Sequence, residues 1–216
     1  TVLDLKSSLL PFIEAYLQRR SAAVTADGFW DQWRARQRHE QFMDTLLHLG
    51  HGGYLETVRR ALVYVLALNG LPRSEADAIE LMQAWPHLRP FPEVGAALER
   101  LDSRYRLVVL SNGDPEFLAH LVRDQVGWGG WEQVISVERV GHFKPHPAVY
   151  RRAAHDLRLE VGECLMVSAN SFDVVGARAN GLRAAFVNRN RLPYDDRPFL
   201  PDVTVEDFTQ LADTLL

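Results

Sequence analysis

Over residues 5 to about 88 the apolar side chains recur at intervals of three and four, the spacing that lines one face of an α-helix. "LLPFIEAYLQRR", "FWDQWRARQRHEQFMDTLLHL", "YLETVRRALVYVLALNG" and "SEADAIELMQAW" each follow it, so the segment is expected to be helical throughout. Asn69-Gly70 reads as a helix stop, and Ser74 with Asp77 three residues on as an N-cap pair. Pro86, Pro90 and Pro92 then punctuate a change of texture. Beyond them helices alternate with short apolar runs. "PEVGAALERL", "DPEFLAHLVRDQ", "HPAVYRRAAHDL" and "FDVVGARANG" read as helices, with a last helix after Asp207. "YRLVVLSNG", "QVISV", "CLMVS" and "AAFVN" read as strands. Strands that are apolar along their whole length, each followed by a helix, imply a parallel sheet covered on both faces.

The pattern therefore predicts an α/β protein. A doubly wound, Rossmann-like core is expected from residues 1–4 and 89–216, with a helical cap of residues 5–88 inserted near the N-terminus. The length of 216 residues suits one such domain plus an insertion, and 47% hydrophobic residues supply a core. A formal charge of −4, with arginines scattered among acids, gives no reason to expect a nucleic-acid partner. The longest apolar run, "ALVYVLAL", is far too short to cross a membrane, and no secretory signal pattern opens the chain. The single cysteine, Cys164, excludes an internal disulfide and suits a cytoplasmic location.

Chemistry gathers where three strands end. In a doubly wound sheet those ends share one edge, and ligands bind there. "LVVL" ends in Ser111-Asn112-Gly113; the segment after "VISV" carries Lys144 in "GHFKPHPAVY"; "LMV" runs into Ser168, Ala169, Asn170 and Asp173. A lysine beside a carboxylate at a helix start can keep that carboxylate ionised and hold a small anion. Taken singly, Ser111 and Asp173 could be helix caps, Lys144 a solvated charge, and Asn112-Gly113 a turn. Their conjunction at three successive strand ends points to a site, with the Lys144 side chain at the sheet edge rather than in the core. His142 and His146 suggest a metal pair, but Pro145 breaks the helix they would need. No G-x-S-x-G elbow, Walker loop or post-strand G-x-G-x-x-G is present.

In this order the segments resemble the haloacid dehalogenase superfamily: "VVLSNG" its second motif, "FKPHPAVY" its lysine motif, and "VSANSFDVVGARANG" its last. Most of that superfamily are magnesium phosphatases whose last motif reads roughly V-G-D-S-x-x-D, with the first Asp on the metal. Ala169 stands at that position, and a methyl group cannot ligate Mg²⁺. The pattern S-x-N-x-F/W-D belongs to the L-2-haloacid dehalogenase branch, and "WRARQ" resembles the W-R-x-x-Q of its cap. The resemblance implies a hydrolase with no metal or other cofactor. An aspartate would displace halide from a small 2-halo carboxylic acid, and water would then hydrolyse the resulting ester. By matching motif, Arg34 would clamp the substrate and help receive the halide, Ser111 would hold the carboxylate, and Asn112 and Phe172 would cradle the halide. Lys144, with Tyr150 nearby, would neutralise and orient the nucleophile. Ser168, Asn170 and Asp173 would position Lys144 and the water, and Thr1 would hydrogen-bond the nucleophilic carboxylate.

Two departures qualify the match. "TVLDLKSSLLP" resembles the stretch after D-x-x-G, which implies that the nucleophile and the central first strand lie N-terminal to Thr1; Asp4 matches a different, non-nucleophilic acid. Without a middle strand the sheet would hold a large unfilled core, so further upstream sequence is the expected explanation, loss of catalysis the other. Second, Arg38 follows Arg34 by one helical turn where the family offers an apolar wall. Either it turns outward or the pocket takes a more polar or more anionic substrate. Alternative activities are the opening of a strained ring such as azetidine-2-carboxylate, a magnesium-dependent phosphatase, and a non-catalytic binding protein. An exposed apolar face on the cap helices would support a homodimer.

Overall fold

The computed structural model describes residues 1–216. The helical periodicity of the first part resolves into α1 (Leu5–Arg19), α2 (Ala26–Leu46), α3 (Tyr54–Leu68) and α4 (Glu75–Met82). Their starts are the ones the polar residues dictate. Thr25 caps α2 by accepting from the Gly28 N–H at 3.1 Å, and Ser74 and Asp77 form a reciprocal capping box on α4. The apolar faces close on one cluster that includes Leu9, Ile13, Tyr16, Phe29, Trp33, Val58 and Leu62. Trp33, fully buried, meets Phe29, Trp30 and Trp85 edge-on. Its indole N–H is satisfied by the Val58 carbonyl at 2.9 Å, so the ring adds buried area without stranding a donor.

The chain passes between cap and core at two adjacent points, where β1 (Leu3–Asp4) and β2 (Arg89–Pro90) form a short antiparallel ladder. The core then alternates as the pattern requires: α5 (Val94–Asp102), β3 (Val108–Ser111), α6 (Pro115–His120), β4 (Gln133–Ser136), α7 (Pro147–Asp156), β5 (Leu165–Ser168), α8 (Ser171–Ala179), β6 (Arg183–Val187), β7 (Val203–Val205) and α9 (Phe208–Leu215). All core pairings are parallel: β3 with β4, β5 with β6, and β6 with β7. Val94, Leu98, Ala185, Val187, Phe208 and Leu211 pack α5 and α9 against one sheet face.

The sequence expectation differs in three places. The parallel strands form two ladders rather than one hydrogen-bonded sheet, because β3 pairs only with β4 and β5 pairs only with β6. The short "VTV" strand β7 was not expected; it is three residues long and too brief for its alternation to register. The helix read over "DPEFLAHLVRDQ" is α-helical only to His120, then widens into a π-helical turn at Leu121–Val126 that ends at Gly127 with φ +68°. No helix is long and apolar enough to cross a membrane.

Candidate active site

The loop between β4 and α7 delivers Lys144, and the first turn of α8 delivers Asp173. The lysine Nζ donates to Asp173 Oδ2 at 3.0 Å, and both side chains are buried. Here the sequence expectation is corrected. The Lys144 side chain is enclosed rather than lying open at the sheet edge, because its aliphatic stem runs inward until Nζ lies 3.9 Å from Met166 Sδ. Asp173 spends its second oxygen on Tyr150, whose hydroxyl donates to Oδ1 at 2.8 Å. Burial, reinforced by the Asp173 charge, pushes the Tyr150 phenol far above its ordinary pKa, so it remains a donor. Asp173 is no helix cap: Asn170 occupies the N-cap position of α8, without a side-chain cap bond. Two charges removed from water persist only when paired and hydrogen-bonded, and Lys144, Asp173 and Tyr150 meet that condition together.

Gly176 makes this packing possible. A Cβ at that position would stand 2.5 Å from the Tyr150 hydroxyl and 2.7 Å from Pro145 Cβ, so α8 approaches α7 and the lysine loop through bare backbone.

Asn112 ties the arrangement to the cap. Its Oδ1 accepts from the Lys144 backbone N–H at 2.9 Å, and its amide donates to Gln41 Oε1 of α2 at 3.0 Å. Its carbonyl lies 3.0 Å from His51 Nε2. Ser111 and Ser168 use their hydroxyls locally, accepting from the N–H groups of Gly113 at 3.1 Å and Asn170 at 3.2 Å, and so shape the turns leaving β3 and β5. Thr1 Oγ1 accepts from the Ala169 N–H at 3.0 Å, which brings Thr1 to the end of β5. Asp4 caps α1 through the Ser7 N–H at 3.1 Å, a structural task.

The face of α2 covers these strand ends. Phe42 meets Phe172 edge-on with ring centroids 5.5 Å apart, and Thr45 Oγ1 accepts from the Phe143 N–H at 3.1 Å. Arg34 lies earlier on the same helix, half-buried, its guanidinium bonded to Gln37 Oε1. Lys144, Asp173, Tyr150 and Asn112 are thus in direct contact, whereas Ser111, Ser168, Asn170, Thr1, Phe172 and Arg34 surround them through separate contacts. Gln41, Phe42, Thr45, His51 and Gly176 were not singled out from sequence. The first three were findable: they continue the helical stripe that Arg34 begins.

His142 and His146 stack at 3.9 Å, but His146 Nδ1 accepts from the Ala148 N–H at 3.2 Å as a cap of α7. Elsewhere His51, Asp114 and Glu138 offer ligand atoms within 4.8 Å of one another. Both Asp114 oxygens are engaged there, accepting from the N–H groups of Tyr54 at 2.6 Å and Leu55 at 2.9 Å at the start of α3.

A family model described as haloacid dehalogenase-like hydrolase matches residues 2–181, from β1 through the end of α8. The chain belongs to that family. Among these hydrolases, haloacetate dehalogenase H-2 of Moraxella sp. (strain B) is 33% identical over 177 residues, which span 80% of this chain and 77% of that protein. (S)-2-haloacid dehalogenase H-109 of Pseudomonas putida is 32% identical over 186 residues, 85% of this chain and 82% of the relative. An L-2-haloacid dehalogenase structure from Xanthobacter autotrophicus, with chloropropionic acid covalently bound, superposes with a TM-score of 0.85 at 27% identity. That superposition covers 100% of this chain and 94% of the other. Within the haloacid dehalogenase-like hydrolases, then, both the cap helices and the lysine–aspartate strand ends of this chain fall inside the matched span.

Proposed function

We propose that the protein is a metal-independent hydrolase that displaces halide from small L-2-haloalkanoic acids through an aspartyl ester. The observation that carries this reading is the buried Lys144–Asp173 pair beside Ala169, in a chain of this family. The Lys144 ammonium brings a fixed positive charge to the strand ends, and Ala169, in the turn between β5 and α8, offers a methyl group that cannot ligate a divalent ion.

The nucleophile in this reading is an aspartate N-terminal to Thr1. Its carboxylate oxygen attacks C2 of the substrate; the new C–O bond forms as the carbon–halogen bond breaks, and the halide leaves with the bonding pair. Water then adds to the carbonyl carbon of the ester and expels the 2-hydroxy acid, so that haloacid plus water give hydroxy acid, halide and one proton. A lysine ammonium has three donors. One is committed to Asp173 at 3.0 Å and a second direction is occupied by the Met166 sulfur, which leaves the third for the attacking carboxylate. Asp173, held by Tyr150, fixes that lysine and, with Ser168 and Asn170, the water. Thr1 positions the nucleophile. Arg34 and Ser111 grip the substrate carboxylate, while Asn112 and Phe172 line the halide's path.

The same reading divides the chain into a core of residues 1–4 and 89–216 and a cap of residues 5–88, supported by the β1–β2 ladder at both crossings. It includes a homodimer, for which the exposed Leu46, Leu47 and Leu49 at the end of α2 offer an apolar face; sedimentation tests it. Activity is tested by halide release from a panel of (S)-2-haloacids, using full-length protein with and without EDTA. Release that survives the chelator supports the reading. Phosphatase activity dependent on magnesium, with no halide release, refutes it.

A further inference from the structure

Counted from Arg34 on α2, residues 38, 41, 42 and 45 lie at spacings of four, seven, eight and eleven, so Arg34, Arg38, Gln41, Phe42 and Thr45 share one helical face. Three of the five already touch the strand-end side of the cleft. Gln41 bonds Asn112 at 3.0 Å, Phe42 packs on Phe172, and Thr45 accepts from the Phe143 N–H at 3.1 Å. Arg38 sits between Arg34 and this row of contacts, so the helix directs it into the cleft rather than outward.

Charge pairing sets it apart. Every arginine without a carboxylate within 4.0 Å is exposed except Arg34 and Arg38, which are half-buried. Arg34 at least has the Gln37 amide. The Arg38 guanidinium has no protein hydrogen-bond partner. Burial, with the Arg34 charge added, lowers its pKa, and the only acid acting on it is the exposed Asp31. Two guanidiniums near enough to repel, partly desolvated and with no protein carboxylate on either, favour a ligand that carries negative charge.

We propose that Arg38 is a second carboxylate clamp and that the preferred substrates are 2-halo dicarboxylic acids of four or five carbons. The proposal rests on the dehalogenase reading. Arg34 holds the carboxylate next to the halogen, and Arg38 holds the distal one. Residues four apart on a helix are separated by about 6 Å along the axis, a span that the two carboxylates of such a diacid bridge. A monoacid of equal length brings an apolar tail against an unmet charge.

The test compares kcat/KM for halide release from (S)-2-chlorosuccinate and (S)-2-chlorobutanoate, using full-length wild type, Arg38→Leu and Arg38→Lys. Wild type should favour the diacid by about tenfold or more. Arg38→Leu should lose roughly 30- to 100-fold on the diacid, chiefly in KM, and gain on the monoacid, inverting the preference. Arg38→Lys should keep part of the diacid preference. Equal use of both substrates by wild type overturns the proposal, as does an equal loss on both in Arg38→Leu, which would mark a structural role. Wild type that hydrolyses chlorobutanoate but not chlorosuccinate overturns it and leaves the dehalogenase reading standing. Halide release from neither substrate ends both.

Discussion

Replacing Lys144 with methionine keeps most of the aliphatic stem and deletes one of two buried charges. Asp173 then retains only the Tyr150 hydroxyl at 2.8 Å. Breaking a buried pair by removing one partner costs about 3–5 kcal/mol, because the other charge stays buried and unmatched. For a chain of this size each kcal/mol moves Tm by roughly 2–4 °C, so a fall on the order of 10 °C is expected. Asp173→Asn alone should do comparable damage by stranding the lysine. The double variant Lys144→Met/Asp173→Asn removes both charges, and neutral replacement of a buried pair is often free of cost. Its stability should recover most of the loss, so the coupling energy in the double-mutant cycle should approach the sum of the two single losses, about 5 kcal/mol or more. Turnover should not recover, because no positive charge remains to hold the attacking carboxylate. Urea midpoints and halide release on the same four proteins separate the two effects. Additive stability losses would mean that Lys144 and Asp173 are not coupled. Near-normal turnover in Lys144→Met would show that the site lies elsewhere.

Three further outcomes follow from the same geometry. Gly176→Ala forces a methyl to within 2.5 Å of the Tyr150 hydroxyl, so it should cost about 1–3 kcal/mol in unfolding and lower turnover by moving Tyr150 off Asp173; unchanged Tm and rate would show that α8 can yield. Arg34→Lys keeps charge but loses the planar fork, and kcat/KM should drop by on the order of 100-fold, a result that full activity in the lysine variant would contradict. In the cap, hydrogen bonds from the Ser74 hydroxyl, then Arg20 and Tyr16, hold the buried Asp77 carboxylate well below its usual range. A depressed carboxylate stabilises the fold above its unfolded pKa of about 3.9 and loses that contribution as pH falls below it. Urea midpoints should therefore drop between pH 6 and pH 3 more steeply in wild type than in Asp77→Asn, and parallel slopes would remove Asp77 from the account.

Much of this was legible in the sequence because it is periodic or lies at a boundary. Helical spacing placed α1 to α4, apolar runs placed β3 to β6, and the polar residues just past those runs placed Ser111, Asn112, Lys144, Ser168, Asn170 and Asp173 along one edge. The stripe on α2 is marked in the sequence by Arg34 and Arg38. Carrying it two turns further reaches Gln41, Phe42 and Thr45, which join the cap to the strand ends. Other features leave no local trace. That Lys144 is enclosed depends on Met166 and Asp173, more than twenty residues away in sequence. That Gly176 is a point of close approach depends on Tyr150 and Pro145 from another element. β7 and the two-residue β1–β2 ladder are set by tertiary pairing alone, since neither is long enough to show alternation.

The central claim is an ester made on the protein without a metal, and one single-turnover experiment in ¹⁸O-labelled water addresses it. Full-length enzyme in excess over (S)-2-chloropropionate, with EDTA present, should release one chloride per substrate. The hydroxy acid formed should be unlabelled, because its new oxygen comes from the attacking carboxylate. The label should instead appear in the protein, on the peptide carrying that aspartate, because water attacks the ester at the protein's own carbonyl carbon. Label in the first-turnover product, or chloride release that appears only when magnesium is restored, would contradict the account.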